Sequence, residues 1–287
     1  MPALWFRHFF RFSLSLCLLM FASLSQAQTE NSRAMSDTFS LSAGGYSIFR
    51  ADTTLSLTEK NVGGGAAFRP TDTLGLDLEN SVLKIDGHYR FSPRSQVVFS
   101  WYRSDSDATK TLDNDVEWVD KNGNQATIAA GSKVDSSLLF DITKASYYWS
   151  FYHNDKVELM AGAGLHVSRF EIDLDVKTDP SGTVSTQSTR KGDHTLPLPT
   201  LGFGMNYRVN PKLFWFMRAE GFYLEYDDWR GLFSELQVGT EYNVWRNLGV
   251  GVGLVTTNLN VTETTSRYRF RYDNRLSGAN LYLSWRM

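Results

Sequence analysis

From Ser81 to Phe91 the chain alternates with a period of two. Leu83, Ile85, Gly87, Tyr89 and Phe91 are apolar or aromatic, and Lys84, Asp86, His88 and Arg90 between them are charged or titratable. Successive side chains of a strand point to opposite faces, so the pattern predicts a strand with one greasy and one charged face. The same alternation recurs from Pro199 to Arg208, from Glu235 to Val244, from Gly249 to Leu254 and from Asn280 to Met287. In these runs the second face holds glycine, small polar residues and charges, which suit a narrow concave interior. Glycine also permits the bends that closing a sheet requires. One stretch breaks phase. Apolar residues stand at odd positions from Val157 to Val167, and at even positions in Phe170, Ile172, Leu174 and Val176. A β-bulge between Val167 and Phe170 would explain the switch; so would a strand that leaves a membrane there and continues outward.

Turn residues divide the strands. Ser92-Pro93-Arg94-Ser95, His153-Asn154-Asp155-Lys156, Asn210-Pro211-Lys212 and Trp245-Arg246-Asn247 are short turn signals,. Between them lie longer polar stretches: Asn61 to Asn80, Asp105 to Ser136, Lys177 to His194 and Thr262 to Asn274, with one short connection near Asp227 to Gly231. Four short turns and five outer connections predict ten antiparallel strands. They begin near Phe39, Ser81, Gln96, Ser137, Lys156, Leu196, Leu213, Leu232, Leu248 and Tyr268. Eight or twelve strands are the neighbouring solutions.

Alternation alone does not separate a soluble all-β protein, with its greasy face inward, from a membrane barrel, with its greasy face outward. The N-terminus bears on this. Arg7 and Arg11 precede the apolar run Phe12–Leu24, and Ser25-Gln26-Ala27 offers small residues for cleavage. Residues 1–27 therefore read as a secretory signal, 28–38 as a short polar periplasmic lead-in, and 39–287 as the barrel. Cys17, the single cysteine, lies in the leader behind Leu16, which argues against lipidation. The exported chain then has no thiol for disulfides, zinc or nucleophilic catalysis. Net charge is −2 overall, with no basic excess of the kind nucleic-acid binding needs,.

Export and the spacing of long and short connections together predict an all-β, up-and-down transmembrane barrel in the outer membrane, short turns periplasmic. Phe91, Phe99, Trp149, Phe151, Tyr207, Trp215, Tyr242, Trp245 and Trp285 stand near the short turns and would form a periplasmic aromatic girdle,. Inward would point Lys84, Asp86, His88, Arg90, Lys144, Glu158, Arg208, Arg218, Glu220, Glu235, Glu241 and Arg286. Both signs are present in similar numbers. Charges removed from water are costly unless paired, so these predict a mutually neutralised network filling the lumen.

Ser81-Val-Leu-Lys-Ile-Asp-Gly-His-Tyr-Arg-Phe, Leu224-Glu-Tyr-Asp-Asp and Asn280-Leu-Tyr-Leu-Ser-Trp-Arg-Met carry a resemblance to the small outer-membrane barrels of the broad OmpA- and OmpW-like group, extended by one hairpin. The chain most resembles the largely uncharacterised outer-membrane β-barrel domain proteins. The final strand is similar to the C-terminal signal read by the barrel-assembly machinery, with Met287 where members of the group usually carry phenylalanine or tryptophan. The resemblance implies a fold, a monomer, outer-membrane lipid and lipopolysaccharide as surroundings, and the assembly machinery as a partner in biogenesis. It implies no activity, because one fold hosts many.

Catalytic chemistry is thinly represented. After the leader the histidines are His88, His153, His166 and His194. His166 and Ser168 share a strand face with Glu158 lower down, the nearest approach to a nucleophile and base. Asp227-Asp228 superficially resembles the paired acidic residues of OmpT-like proteases, with no matching second motif. Asp105, Asp107, Asp113, Asp115, Glu117 and Asp120 read as one acidic loop without calcium-loop spacing. Gly63-Gly64-Gly65 lacks the lysine and helix of a phosphate loop. No catalytic, cofactor or metal residue is assigned. The expected role is a non-catalytic envelope or surface component, the alternative a narrow channel for ions or small solutes, and the third a hydrolase at the outer rim.

Overall fold

The computed structural model describes residues 37–59, 65–119, 125–178, 188–264 and 268–287, all within the unit Ser32–Met287. The leader predicted over 1–27, with Cys17, lies outside the described residues, as do Gly63, Gly64 and Asp120.

Ten strands close into one antiparallel barrel: β1 (Phe39–Glu59), β3 (Ser81–Ser92), β4 (Ser95–Thr111), β7 (Lys133–His153), β8 (Val157–Thr178), β9 (Ser188–Arg208), β10 (Leu213–Tyr226), β11 (Trp229–Asn243), β12 (Leu248–Thr264) and β13 (Tyr268–Arg286). The ladder between β1 and β13 closes the ring from Ser40↔Arg286 to Glu59↔Tyr268. The other elements belong to the outer connections: β2 (Gly65–Phe68), the short helix α1 (Pro70–Leu74), and the hairpin of β5 (Val116–Val119) and β6 (Gln125–Ile128). The four predicted short turns lie at one rim with both ends of the barrel, where Thr38 N–H donates to the Met287 carbonyl at 2.8 Å. The opposite rim carries the tight turn at Asp227-Asp228, where Asp227 takes φ 52°, a left-handed conformation that aspartate tolerates,.

The strands run further outward than the polarity of their sequence suggests. Asp105 and Asp107 lie on β4, paired with Leu139 and Ser137 of β7, and are not loop residues. His194 lies within β9, paired with Phe170. At the inner end, Thr38 already belongs to the wall: its carbonyl accepts from Arg90 N–H at 2.7 Å.

The outer extensions explain the phase break on β8. The ladders on both sides run unshifted through Val167 to Phe170, so no bulge stands there. What changes is the medium outside. Near the short turns the outer face of β8 carries Val157, Leu159, Leu165 and Val167; from Arg169 onward it carries Glu171, Asp173 and Asp175. The inner face changes in the opposite sense, from Glu158, Gly162 and His166 to Phe170, Ile172, Leu174 and Val176. β7 and β12 switch in the same way. On β12, Val250, Val252 and Leu254 face outward while Gly249, Gly251 and Gly253 are buried; further along, Asn258 and Asn260 face outward while Val255, Leu259 and Val261 are buried. Where hydrocarbon surrounds the wall, apolar side chains face out. Where water surrounds it, they face in. On β7 the outer face from Asp141 to Lys133, polar except at Leu139, amounts to roughly 25 Å of strand,.

The inner glycines of β12 make room for side chains opposite. A Cβ on Gly251 would stand 2.1 Å from Cζ of Tyr282, and one on Gly249 2.5 Å from Oε1 of Glu241. Gly251→Val is therefore expected to destabilise the barrel by about 1–3 kcal/mol through overpacking. Urea unfolding in lipid vesicles would measure it, and a variant as stable as the parent would contradict the packing described.

Candidate functional site: the lumen

The lumen has two tiers. The tier toward the short turns is ionic. Glu158, at the start of β8, is fully buried. Its two oxygens accept Nη1 and Nη2 of Arg90 at 2.8 and 3.0 Å, and also hydrogen bonds from Ser150 and, at 2.9 Å, from Asn206. His153, at the end of β7, brings Nδ1 to 3.5 Å from the same carboxylate. Across the barrel, Arg286 donates to Glu241 at 2.6 and 2.9 Å and reaches Asp37 at 3.3 Å. Higher up, Lys144 contacts Glu235 and lies 3.4 Å from Glu220, whose other oxygen accepts from Ser146 and Tyr148 at 3.0 and 2.9 Å. Lys84 pairs with Asp86 on its own strand. A cavity of about 110 Å³ lies among these groups, with His88, Arg90, Arg218 and Arg286 on its walls.

All twelve residues predicted to face inward lie on the inner face or in this tier, but they do not form one neutralised network. They divide into separate groups around Glu158, Glu241 and Lys144, with Lys84–Asp86 apart. Among the described residues, Arg208 and Arg218 have no ion pair within 4 Å; Arg218 lies 3.5 Å from Asn206 and 5.9 Å from the rings of Tyr148 and Phe216. Asp37 was hidden in the polar lead-in, and no residue pattern there distinguishes it from a solvated aspartate. Asn206, Ser146, Ser150 and Tyr148 could have been found, since each occupies the inward phase of its strand.

Nor do charges fill the barrel. The outer tier is an apolar septum. Tyr46, Ile48 and Ala51 of β1, Tyr102 of β4, Leu138, Phe140 and Ile142 of β7, Leu174 and Val176 of β8 and Val255 of β12 pack into one buried cluster. Leu74, Leu76 and Leu78 join it from the connection after α1, and Val116 and Ile128 from the β5–β6 hairpin. A second cluster around Phe233 and Leu259 adds Leu198, Phe222 and Tyr272, and Phe170 packs against both. With Val82 and Leu276, every one of the ten strands contributes. Phe140 and Tyr272 meet Phe170 edge-on at 5.1 and 5.5 Å between ring centres. The void recorded within the septum is about 20 Å³, space for roughly one water,.

His166 lines the void of the septum, buried, its ring 4.4 Å from that of Phe233. Ser168 is equally buried. Asp227 and Asp228 stand at the β10–β11 turn on the outer rim, away from that histidine. The acidic residues read as one loop are dispersed: Asp105 and Asp107 on the outer face of β4, Asp113 beside Lys110 at 3.3 Å, and Asp115 accepting Ala130 N–H at 2.7 Å. Among the described residues, no three His, Cys, Asp or Glu side chains gather as metal ligands would.

Of the nine aromatic residues near the short turns, Phe91, Trp149, Phe151, Tyr207, Trp215, Tyr242 and Trp285 are exposed on the outer face, and Trp245 is half-buried in the β11–β12 turn. Phe99 stands apart. It pairs with Ala145, four residues up the wall from the Ser95↔Trp149 pair, and covers Gly87. Its nearness to a turn in sequence misstates its height.

No family model and no curated protein matches the chain. Among solved structures it is similar to the outer membrane protease OmpT from Escherichia coli, with a TM-score of 0.56 at 10% identity over 92% of this chain and 99% of that one. The Pseudomonas putida toluene transporter TodX (TM-score 0.35, 9% identity, 92% and 96% covered) and Neisserial surface protein A (0.29, 12%, 87% and 97%) are more distant in shape. The fold is that of the small outer-membrane β-barrels. At these identities the likeness extends to the fold alone.

Proposed function

We propose that the protein is a monomeric, non-conducting, non-catalytic component of the outer membrane, which holds a rigid barrel stub above the bilayer. The observation that carries this reading is the apolar septum to which all ten strands contribute. An ion crossing it would lose its hydration with few polar groups in exchange, His166, Ser168, Thr257 and Asn274 at the void, a cost of several kcal/mol,. The ionic tier supports the same reading, since most of its carboxylates already hold a cation. A hydrolase is disfavoured by the burial of His166 and Ser168 within the septum, out of reach of a substrate at the outer rim.

Planar-bilayer recording tests it. The purified full-length barrel is expected to give no discrete conductance steps. Replacing Phe140 and Phe233 together by alanine, which thins the septum beside the void they line, is expected to produce them. Steps from the parent protein would overturn the reading in favour of a narrow channel.

A further inference from the structure

Among the described residues, the ladder between β9 and β10 stops short of their outer ends. β9 and β10 pair from Arg208↔Phe214 only as far as Leu201↔Gly221. Beyond that level β9 continues to Ser188 paired with β8 alone, and β10 continues through Phe222 to Tyr226 paired with β11 alone. The cause is in the sequence. Arg208 N–H donates to Lys156 on the β8 side, and Val209 N–H donates to Leu213 on the β10 side. With a period of two, the odd-numbered nitrogens of β9 face β10. Pro197 and Pro199 are odd-numbered, and proline has no N–H to give. A β10 brought alongside would find two successive donors missing.

The gap starts inside the apolar belt. The outer face of β9 stays apolar through Leu201, Pro199 and Pro197 and turns polar only at Thr195. A second short strand, β3, shows the contrast: it begins at Ser81, and its missing upper part is replaced by the buried Leu74, Leu76 and Leu78. No described segment replaces the missing β9–β10 ladder. Leu224, inward by the phase of Glu220 and Phe222, is 48% exposed. Phe222 and Leu198 are half-buried at the edge of the septum.

We infer that this gap is a lateral binding site for one acyl chain of a surrounding membrane lipid, seated against Leu198, Phe222 and Leu224. The inference rests on the membrane-barrel reading above. At the foot of the gap the outer face of β9 is still the apolar belt of Leu201, Pro199 and Pro197, and the side chains named at the gap are apolar. Glu225, next to Leu224, is exposed and is held by Tyr223 and Arg230 at 2.6 and 2.7 Å. Backbone groups left without a ladder partner are costly in hydrocarbon. The Pro197 and Pro199 carbonyls and Tyr223 N–H therefore favour a chain that carries an ester or hydroxyl group near its head.

The test refolds the full-length protein into phosphatidylcholine vesicles doped with a phosphatidylcholine bearing a diazirine on its acyl chain, then maps the photo-adducts by mass spectrometry. Adducts are expected on Leu198, Phe222 and Leu224 as well as on the belt residues Leu165, Leu201 and Val252. In Pro197→Val/Pro199→Val, which restores both donors, inner-face adducts should fall severalfold while belt adducts persist. Phe222→Trp, which fills the gap without touching the prolines, should do the same and serves if the double variant does not fold. Adducts confined to the belt would overturn the site and leave the membrane barrel standing. Inner-face labelling unchanged in a folded variant would also overturn it. A belt without adducts would sink both.

Discussion

Arg90→Ala is expected to cost about 3–5 kcal/mol, the usual penalty for stranding one partner of a buried ion pair. Glu158 would keep the hydrogen bonds from Ser150 and Asn206 but lose both guanidinium contacts. Its carboxylate is fully buried in the parent and would be left without its guanidinium partner. Urea titration in vesicles, followed by tryptophan fluorescence, would measure the loss. Replacing both partners, as in Arg90→Met/Glu158→Leu, removes the desolvation cost with the attraction and should recover most of the stability. A single variant within 1 kcal/mol of the parent would mean that solvent reaches Glu158 and that the ionic tier is wetter than its geometry indicates.

Val252→Arg should cost about 2–4 kcal/mol, and Asn260→Arg close to nothing. The two side chains share the outer face of β12, eight residues apart. Val252 lies in the apolar belt between Thr240 and Leu281; Asn260 lies beyond the switch, between Leu232 and Asp273. In hydrocarbon a guanidinium is unsolvated, and in water it is not. Equal costs for the two, measured by the same titration, would contradict the boundary drawn between Leu254 and Asn258.

The ionic partners show where sequence reading stops. That Arg90 and Glu158 both face inward is legible in the phase of each strand. That they meet across 68 residues depends on the offset of β3, β4, β7 and β8 around the barrel, which no local pattern encodes. Asp37 is a harder case, since its burial follows only from the closure of β1 on β13. The outer extensions were readable in part. Gly249 to Val261 carries its own phase switch at Val255, but a polar outer face such as Asp105 and Asp107 imitates a loop when only composition is weighed.

The sequence by itself determined the strand ends at the short turns and the inward or outward phase of each residue near those turns, because alternation and turn chemistry are local; it favoured ten strands, and the closure of β1 on β13 fixed that count. Tertiary structure decided what each phase means. The same alternation yields a charged interior where lipid surrounds the wall and a greasy one where water does, and only the height of a residue in the closed barrel says which medium it meets. The register also chose which neighbour the nitrogens of Pro197 and Pro199 face, and so where the wall opens.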